Sequence, residues 1–147
     1  MDILIRRATI GDIPAVAVLF DAYRQHYHQP ADLQGAVSFL NERTRLDQSA
    51  IFMACEGDEV VGFTQLYPIF TSVGMQRTWL LNDLFVTAAA RGKGVGTALL
   101  EAAKAFGRST GSKWLMLQTT ADNYTAQSVY ENNGWVRETD HFYMYHL

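Results

Sequence analysis

The stretch Arg91-Gly92-Lys93-Gly94-Val95-Gly96-Thr97 constrains the fold more than any other part of the chain. It separates an apolar strand pattern, about Trp79 to Val86, from a long helix pattern, Gly94 to about Thr110. In that helix Val95, Ala98, Leu99, Ala102 and Phe106 recur on one side. Glycines let the backbone turn sharply and approach a ligand, and the free N–H groups of a helix start favour an anion. Arg91 and Lys93 add positive charge. A tight strand-to-helix connection that needs glycine only for its dihedrals explains the same letters, so both readings stand on this stretch alone. A further strand pattern, Trp114 to Thr119, follows the helix and completes a βαβ crossover.

The flanking segments are of another kind. Ile3 to Arg7 reads as a short strand. Asp12 can cap a helix running to about Tyr27, with Pro14 tolerated in its first turn and Ile13, Val16, Ala17, Phe20 and Tyr23 or Arg24 forming an apolar stripe. Gln29-Pro30 breaks it, and Asp32 to Arg45 reads as a second helix with Leu33, Ala36, Val37 and Leu40 inward. Ile51 to Cys55 and Val60 to Pro68 flank the hairpin turn Glu56-Gly57-Asp58. After the crossover come a helix, Tyr124 to Asn133, and two short strands, Val136 to Glu138 and Phe142 to His146. The order βααβββαβαββ mixes antiparallel hairpins with one crossover, which is an α+β, or mixed α/β, domain.

Composition narrows the function. A chain of 147 residues, 48% apolar and 18% charged, fits one globular domain spanning 1–147. Twelve Lys+Arg against fifteen Asp+Glu leave a net charge of −3, without the basic surplus of a nucleic-acid binder. No window approaches the ~20 apolar residues of a membrane span, and the N-terminus lacks the order of a signal peptide. A cytoplasmic protein is expected, with no membrane or nucleic-acid partner. Cys55 stands alone between apolar neighbours and reads as a buried structural thiol. No Cys, His or carboxylate cluster has ligand spacing, so no metal is expected.

Several motifs fail on context. Lys93 precedes Gly94 and Gly96, which is not the Walker A order, and Thr97 breaks the dinucleotide fingerprint. Gly107-Arg108-Ser109-Thr110-Gly111 matches Gly-x-Ser-x-Gly, but a helix runs in and a strand runs out, the reverse of a nucleophile elbow. His26 and His28 sit two apart near a helix end, a poor geometry for a shared metal.

Three segments combine into a resemblance: Leu84-Phe85-Val86 ending a strand, Arg91-x-x-Gly94-x-Gly96 opening a helix, and Asn123-x-x-Ala126-x-x-x-Tyr130-x-x-x-Gly134-Trp135 near the end. Together they resemble the GNAT superfamily of acetyl-CoA-dependent N-acetyltransferases, and the element order resembles that fold over nearly the whole chain. The resemblance implies a central, mostly antiparallel sheet of about seven strands flanked by about four helices. It implies acetyl-CoA as co-substrate, with backbone amides of Phe85, Val86 and Thr87 on the pantetheine and acetyl carbonyl. Arg91, Gly92, Lys93, Gly94, Val95, Gly96 and Thr97 would hold the pyrophosphate, Asn123 would hydrogen-bond the pantetheine or phosphate arm, and Ala126 would border the cofactor beside it. Tyr130 would protonate the departing thiolate. Asn123, Ala126 and Tyr130 share a helix face by spacing, so a helix cap and a packed aromatic explain them equally.

The acceptor side is less legible. Leu81-Asn82-Asp83-Leu84-Phe85-Val86 and the aromatic C-terminus resemble the spermidine/spermine and thialysine branch, commonly dimeric, whose acidic base falls at Asn82. Asparagine takes no proton. Asp83 is the nearest carboxylate and the second candidate catalytic residue, yet strand alternation puts it on the opposite face; binding a cationic amine or capping a turn also stand. Tyr67, Trp79, Tyr143 and Tyr145 are candidates either for an acceptor pocket or for core. The expected activity is acetyl transfer to a small-molecule primary amine, polyamine-like or amino-acid-like, or to a protein lysine. An acyl-CoA-binding sensor without catalysis, or an assembly protein built on the same scaffold, are the alternatives.

Overall fold

A computed structural model describes residues 2–147. Strand β1 (Ile3–Arg7) leads through a single 3-10 turn into α1 (Ile13–His26) and α2 (Leu33–Arg45). Then come β2 (Ala50–Glu56), β3 (Glu59–Thr71), β4 (Gln76–Val86), α3 (Val95–Ser109), β5 (Leu115–Met116) and α4 (Tyr124–Asn132). The strands form one sheet in the order β1-β2-β3-β4-β5, antiparallel except for the parallel β4–β5 pair that the α3 crossover requires. The mixed, mostly antiparallel sheet and four helices agree with the expected class.

Sequence signals account for most boundaries. The Asp12 carboxylate accepts from the Thr9 backbone N–H at 2.8 Å and pairs with Arg6 at 2.8 Å, fixing the entry to α1. Asp32 caps α2 by accepting from Gly35 N–H at 2.9 Å. Gly57 takes φ 63° in the β2–β3 turn. Helices α1 and α2 cover one sheet face through Ile13, Val16, Phe20, Leu40, Met53 and Phe63, while α3 covers the other through Val95, Leu99, Leu100 and Ala103. The buried stripe of α3 is rotated from the expected one. Leu100, Ala103 and Gly107 face inward and Phe106 is half-buried, because Gly107 meets Leu115 where a Cβ would come within 2.8 Å of its side chain.

Two expectations are corrected. The sheet has five strands, not about seven: Val136 to Glu138 and Phe142 to His146 form no strand. A strand exists through its neighbour's hydrogen bonds, and β5 pairs over only Leu115 and Met116, leaving no ladder at which these segments pair. Phe142, Tyr143, Met144 and Tyr145 consequently lie exposed. Leu33, expected inward, is 48% exposed at the first turn of α2. Cys55 is buried as expected, and among the described residues no helix is long and apolar enough to cross a membrane.

Candidate active site

Strand β4 pairs with β5 only at Trp79↔Leu115 and Leu80↔Met116, then runs on for six residues to Val86. The side of β4 that faced β5 is therefore unpaired along Leu81 to Val86. Thr87 N–H donates to Val61 C=O at 2.9 Å, across the β3 side. Alternation then turns the Phe85 amide toward β3 as well and the Val86 amide toward the opening. Of the three amides expected to meet a ligand, Val86's alone faces the gap, and Thr87's is taken. The Arg91 Nε donates to the Val86 carbonyl at 3.1 Å and holds the guanidinium over the end of the gap.

The turn after β4 ends in the same region. Gly92 and Gly94 take φ 77° and 80°, and a Cβ on either would meet nothing within 4 Å. These glycines serve dihedrals, not close packing. Gly94 caps α3, so the Val95, Gly96 and Thr97 amides point out of the helix start as donors without helical partners. Lys93 lies 4.0 Å from Glu56. On α4 the Asn123 side chain accepts from Ala126 N–H at 3.2 Å and so caps that helix, leaving its NH2 to donate elsewhere. Tyr130 is half-buried, its ring 6.4 Å from Trp135. Burial, with Tyr27 nearby, pushes its hydroxyl above the usual tyrosine range.

Across the sheet a cleft of about 470 Å³ opens between α1, α2 and β4. Phe20, Tyr23, Tyr27, Phe39 and Tyr67 form its walls, and Asp83 lies in its floor at 3% exposure. A β-bulge puts it there. Gln65 pairs with Asp83 but Leu66 pairs with Leu81, so Asn82 is an extra residue that resets the alternation. Leu81 packs toward α3 while Asp83 and Asn82 both line the cleft on the α1/α2 side. The opposite-face expectation for Asp83 fails for this reason.

The carboxylate is held by amides. Gln65 Nε2 donates to Oδ2 at 2.5 Å and Asn82 Nδ2 to Oδ1 at 3.1 Å. Burial raises the Asp83 pKa; the hydrogen bonds from Gln65, Asn82 and Tyr23 oppose it without prevailing. Tyr23 and Tyr67 are pushed up by burial and by this carboxylate, so both stay protonated at neutral pH.

Of the other aromatic candidates, Tyr67 alone reaches the cleft. Trp79 is core, its Nε1 donating to Thr110 Oγ1 at 2.9 Å, and Tyr143 and Tyr145 lie in the exposed tail. Sequence reasoning missed Tyr23, Tyr27 and Phe39. Phe20, Tyr23 and Tyr27 follow i, i+3, i+7 on α1, a spacing that reads as an ordinary apolar stripe. Among the described residues no group of three His, Cys, Asp or Glu is placed to hold a metal ion.

A parted strand edge, a glycine-rich helix start and an acidic aromatic cleft across the sheet thus lie together around β4. The comparisons with known proteins give the class of protein. Residues 16–135 match the Acetyltransferase (GNAT) family, and the chain belongs to that family. It is 50% identical over 135 residues to the uncharacterized N-acetyltransferase YhfO of Bacillus subtilis (strain 168), covering 92% of this chain and 91% of that one. It is 34% identical over 130 residues to a "probable acetyltransferase" of Haemophilus influenzae, covering 88% and 87%. A crystal structure of a probable acetyltransferase superposes with a TM-score of 0.88 at 37% identity, over 100% of this chain and 97% of that one. The protein is an acetyl-CoA-dependent acetyltransferase. The comparisons reach the superfamily and single out no branch of it.

Proposed function

We propose that the chain transfers acetyl from acetyl-CoA to the primary amine of a small molecule seated in the α1/α2 cleft, with Asp83 as proton acceptor and Tyr130 as proton donor. The observation that carries this reading is the bulge at Asn82. It turns a carboxylate into the floor of a cleft on the strand whose opposite edge is open for the thioester.

The chemistry follows from the residues. An alkyl amine with a pKa near 10.4 is neutral in only about 1 part in 2,500 at pH 7, so attack requires loss of a proton. A carboxylate raised by burial is better matched to that work than an ordinary one. Asp83 first takes the ammonium proton and passes it to water; the freed nitrogen then attacks the acetyl carbonyl, the Val86 amide donates to the oxygen that gains charge, and Asp83 accepts the second nitrogen proton as the amide forms. As the carbon–sulfur bond breaks, the Tyr130 hydroxyl gives its proton to the thiolate and is reprotonated from water. The amides of Val95, Gly96 and Thr97, with Arg91 and Lys93, would bind the pyrophosphate. Asn123, through its free NH2, and Ala126 would border the pantetheine. No covalent acyl-enzyme is needed.

A cleft of this volume suits a small amine, polyamine-like or amino-acid-like, better than a lysine on a folded protein. Following thiol release from acetyl-CoA across a panel of primary amines tests the reading, with the acetylated product identified by mass. Turnover with at least one small amine is expected. Thiol release that occurs only with protein lysines, or with no amine at all, overturns it.

A further inference from the structure

The charges around the cleft do not balance. Arg24 is the one cation in its lining, and its Nη1 is spent on Asp21 Oδ1 at 2.9 Å and the Pro30 carbonyl at 3.2 Å. Arg43 lies just outside, over the Phe39 ring, and is bridged to Glu42 at 3.1 Å. Neither cation reaches the two carboxylates that line the cleft. Asp83 is held by neutral amides, and Asp32 by the Gly35 N–H alone.

Asp32 is built to face this space. It caps α2 through Oδ1, which leaves Oδ2 without a partner among the described residues. Gly35 also lines the cleft, and a Cβ there would come within 2.3 Å of Oδ2, so glycine is what allows the carboxylate its position. Asp32 is exposed whereas Asp83 is buried, which puts one negative group at the mouth and one at the floor. The aromatic walls between them favour a cation or an alkyl chain and offer nothing to a second anion.

We propose that the acceptor is a small amine carrying a second positive group, which Asp32 receives at the mouth while the reacting nitrogen reaches Asp83 at the floor. This deepens the proposed acetyl transfer and rests on the cleft being the amine site. Asp32 is then a specificity-determining residue, and a carboxylate on the acceptor is repelled.

Three probes isolate the charges. Cadaverine carries both amines, pentylamine lacks the second, and lysine adds a carboxylate to the cadaverine skeleton. The expected order of kcat/KM is cadaverine, then pentylamine, then lysine, with about threefold to fivefold between the first two, the upper range of an exposed, screened ion pair. Asp32→Asn keeps the helix cap, since asparagine caps as well as aspartate, and its melting temperature should match wild type. The variant should raise the cadaverine KM to that of pentylamine and leave pentylamine within about twofold. Equal KM values for cadaverine and pentylamine in wild type, a preference for lysine, or an equal loss with both monoamine and diamine would overturn the proposal. Calorimetric titration of cadaverine into CoA-saturated protein separates the two readings. Asp32-dependent binding without turnover of any amine keeps the two-carboxylate diamine site but overturns its occupant as the acetyl acceptor, whereas turnover with Asp32-independent binding keeps the acetyl transfer and overturns the role of Asp32.

Discussion

At the scale of single residues, the proposed chemistry rests on two groups with displaced proton affinities. Tyr130 has its pKa raised, so at neutral pH it holds the proton a departing thiolate needs. Tyr130→Phe keeps the ring and removes the hydroxyl, so turnover should fall while the KM for acetyl-CoA stays nearly unchanged. A thiol with a pKa near 8.5 leaves fairly well unaided, which places the loss at about 10²-fold or less. The wild-type rate should fall at alkaline pH above the ordinary tyrosine range as Tyr130 ionises, and that fall should vanish in the variant. Equal pH profiles for the two proteins would reduce Tyr130 to an aromatic packed beside Trp135. Asp83 was legible as a carboxylate near the right place but not as part of the cleft. A bulge leaves no letter in a sequence: Leu81-Asn82-Asp83-Leu84 reads as plain alternation until Leu66 is seen opposite Leu81. Asn82 looked like a missing base and is a donor that orients the carboxylate.

At the scale of elements, the glycines divide into two kinds that mutations can separate. Gly94 needs φ 80° and has open space around it, so Gly94→Val should strain the helix start and block the proposed pyrophosphate site without disturbing packing. The thermal shift given by saturating CoA should be abolished, with little change in the melting temperature of the unliganded protein. Gly107 is the reverse case. Its φ is ordinary, but an added Cβ would meet Leu115 at 2.8 Å where α3 crosses β5. Gly107→Ala should cost about 1–3 kcal/mol in denaturant unfolding, the range for overpacking a close contact. Periodicity and capping residues placed every helix and the first four strands within a few residues, because those elements are local or flanked by turn residues. The final two strands were not legible. Their β-branched and aromatic letters describe what a strand would contain, whereas a strand also needs an edge, and β5 offers two residues of one.

At the scale of the whole molecule, two helices on one face and α3 on the other hold a sheet in which, on the proposed reading, β4 carries acetyl donor and acceptor on its two sides. That arrangement places a buried carboxylate where stability and activity oppose each other. The folded pKa of Asp83 lies above its unfolded value, so the folded chain holds the proton more tightly. Stability therefore falls as pH rises between those two values. Asp12 has the opposite sign: Arg6 and the Thr9 amide lower its pKa, and the stability it contributes is lost as pH falls below the ordinary carboxylate range. Asp83→Asn should raise the melting temperature at neutral pH and flatten the decline that Asp83 causes. The measurement that tests the account most directly is kcat/KM against pH for wild type and Asp83→Asn with one small amine. If Asp83 accepts the proton, the variant shows a deficit of about 10²-fold or more near neutrality that shrinks as pH nears the amine's own pKa, where the amine loses its proton unaided. Wild-type activity in the variant, or a deficit equally large at every pH, would contradict Asp83 as the proton acceptor.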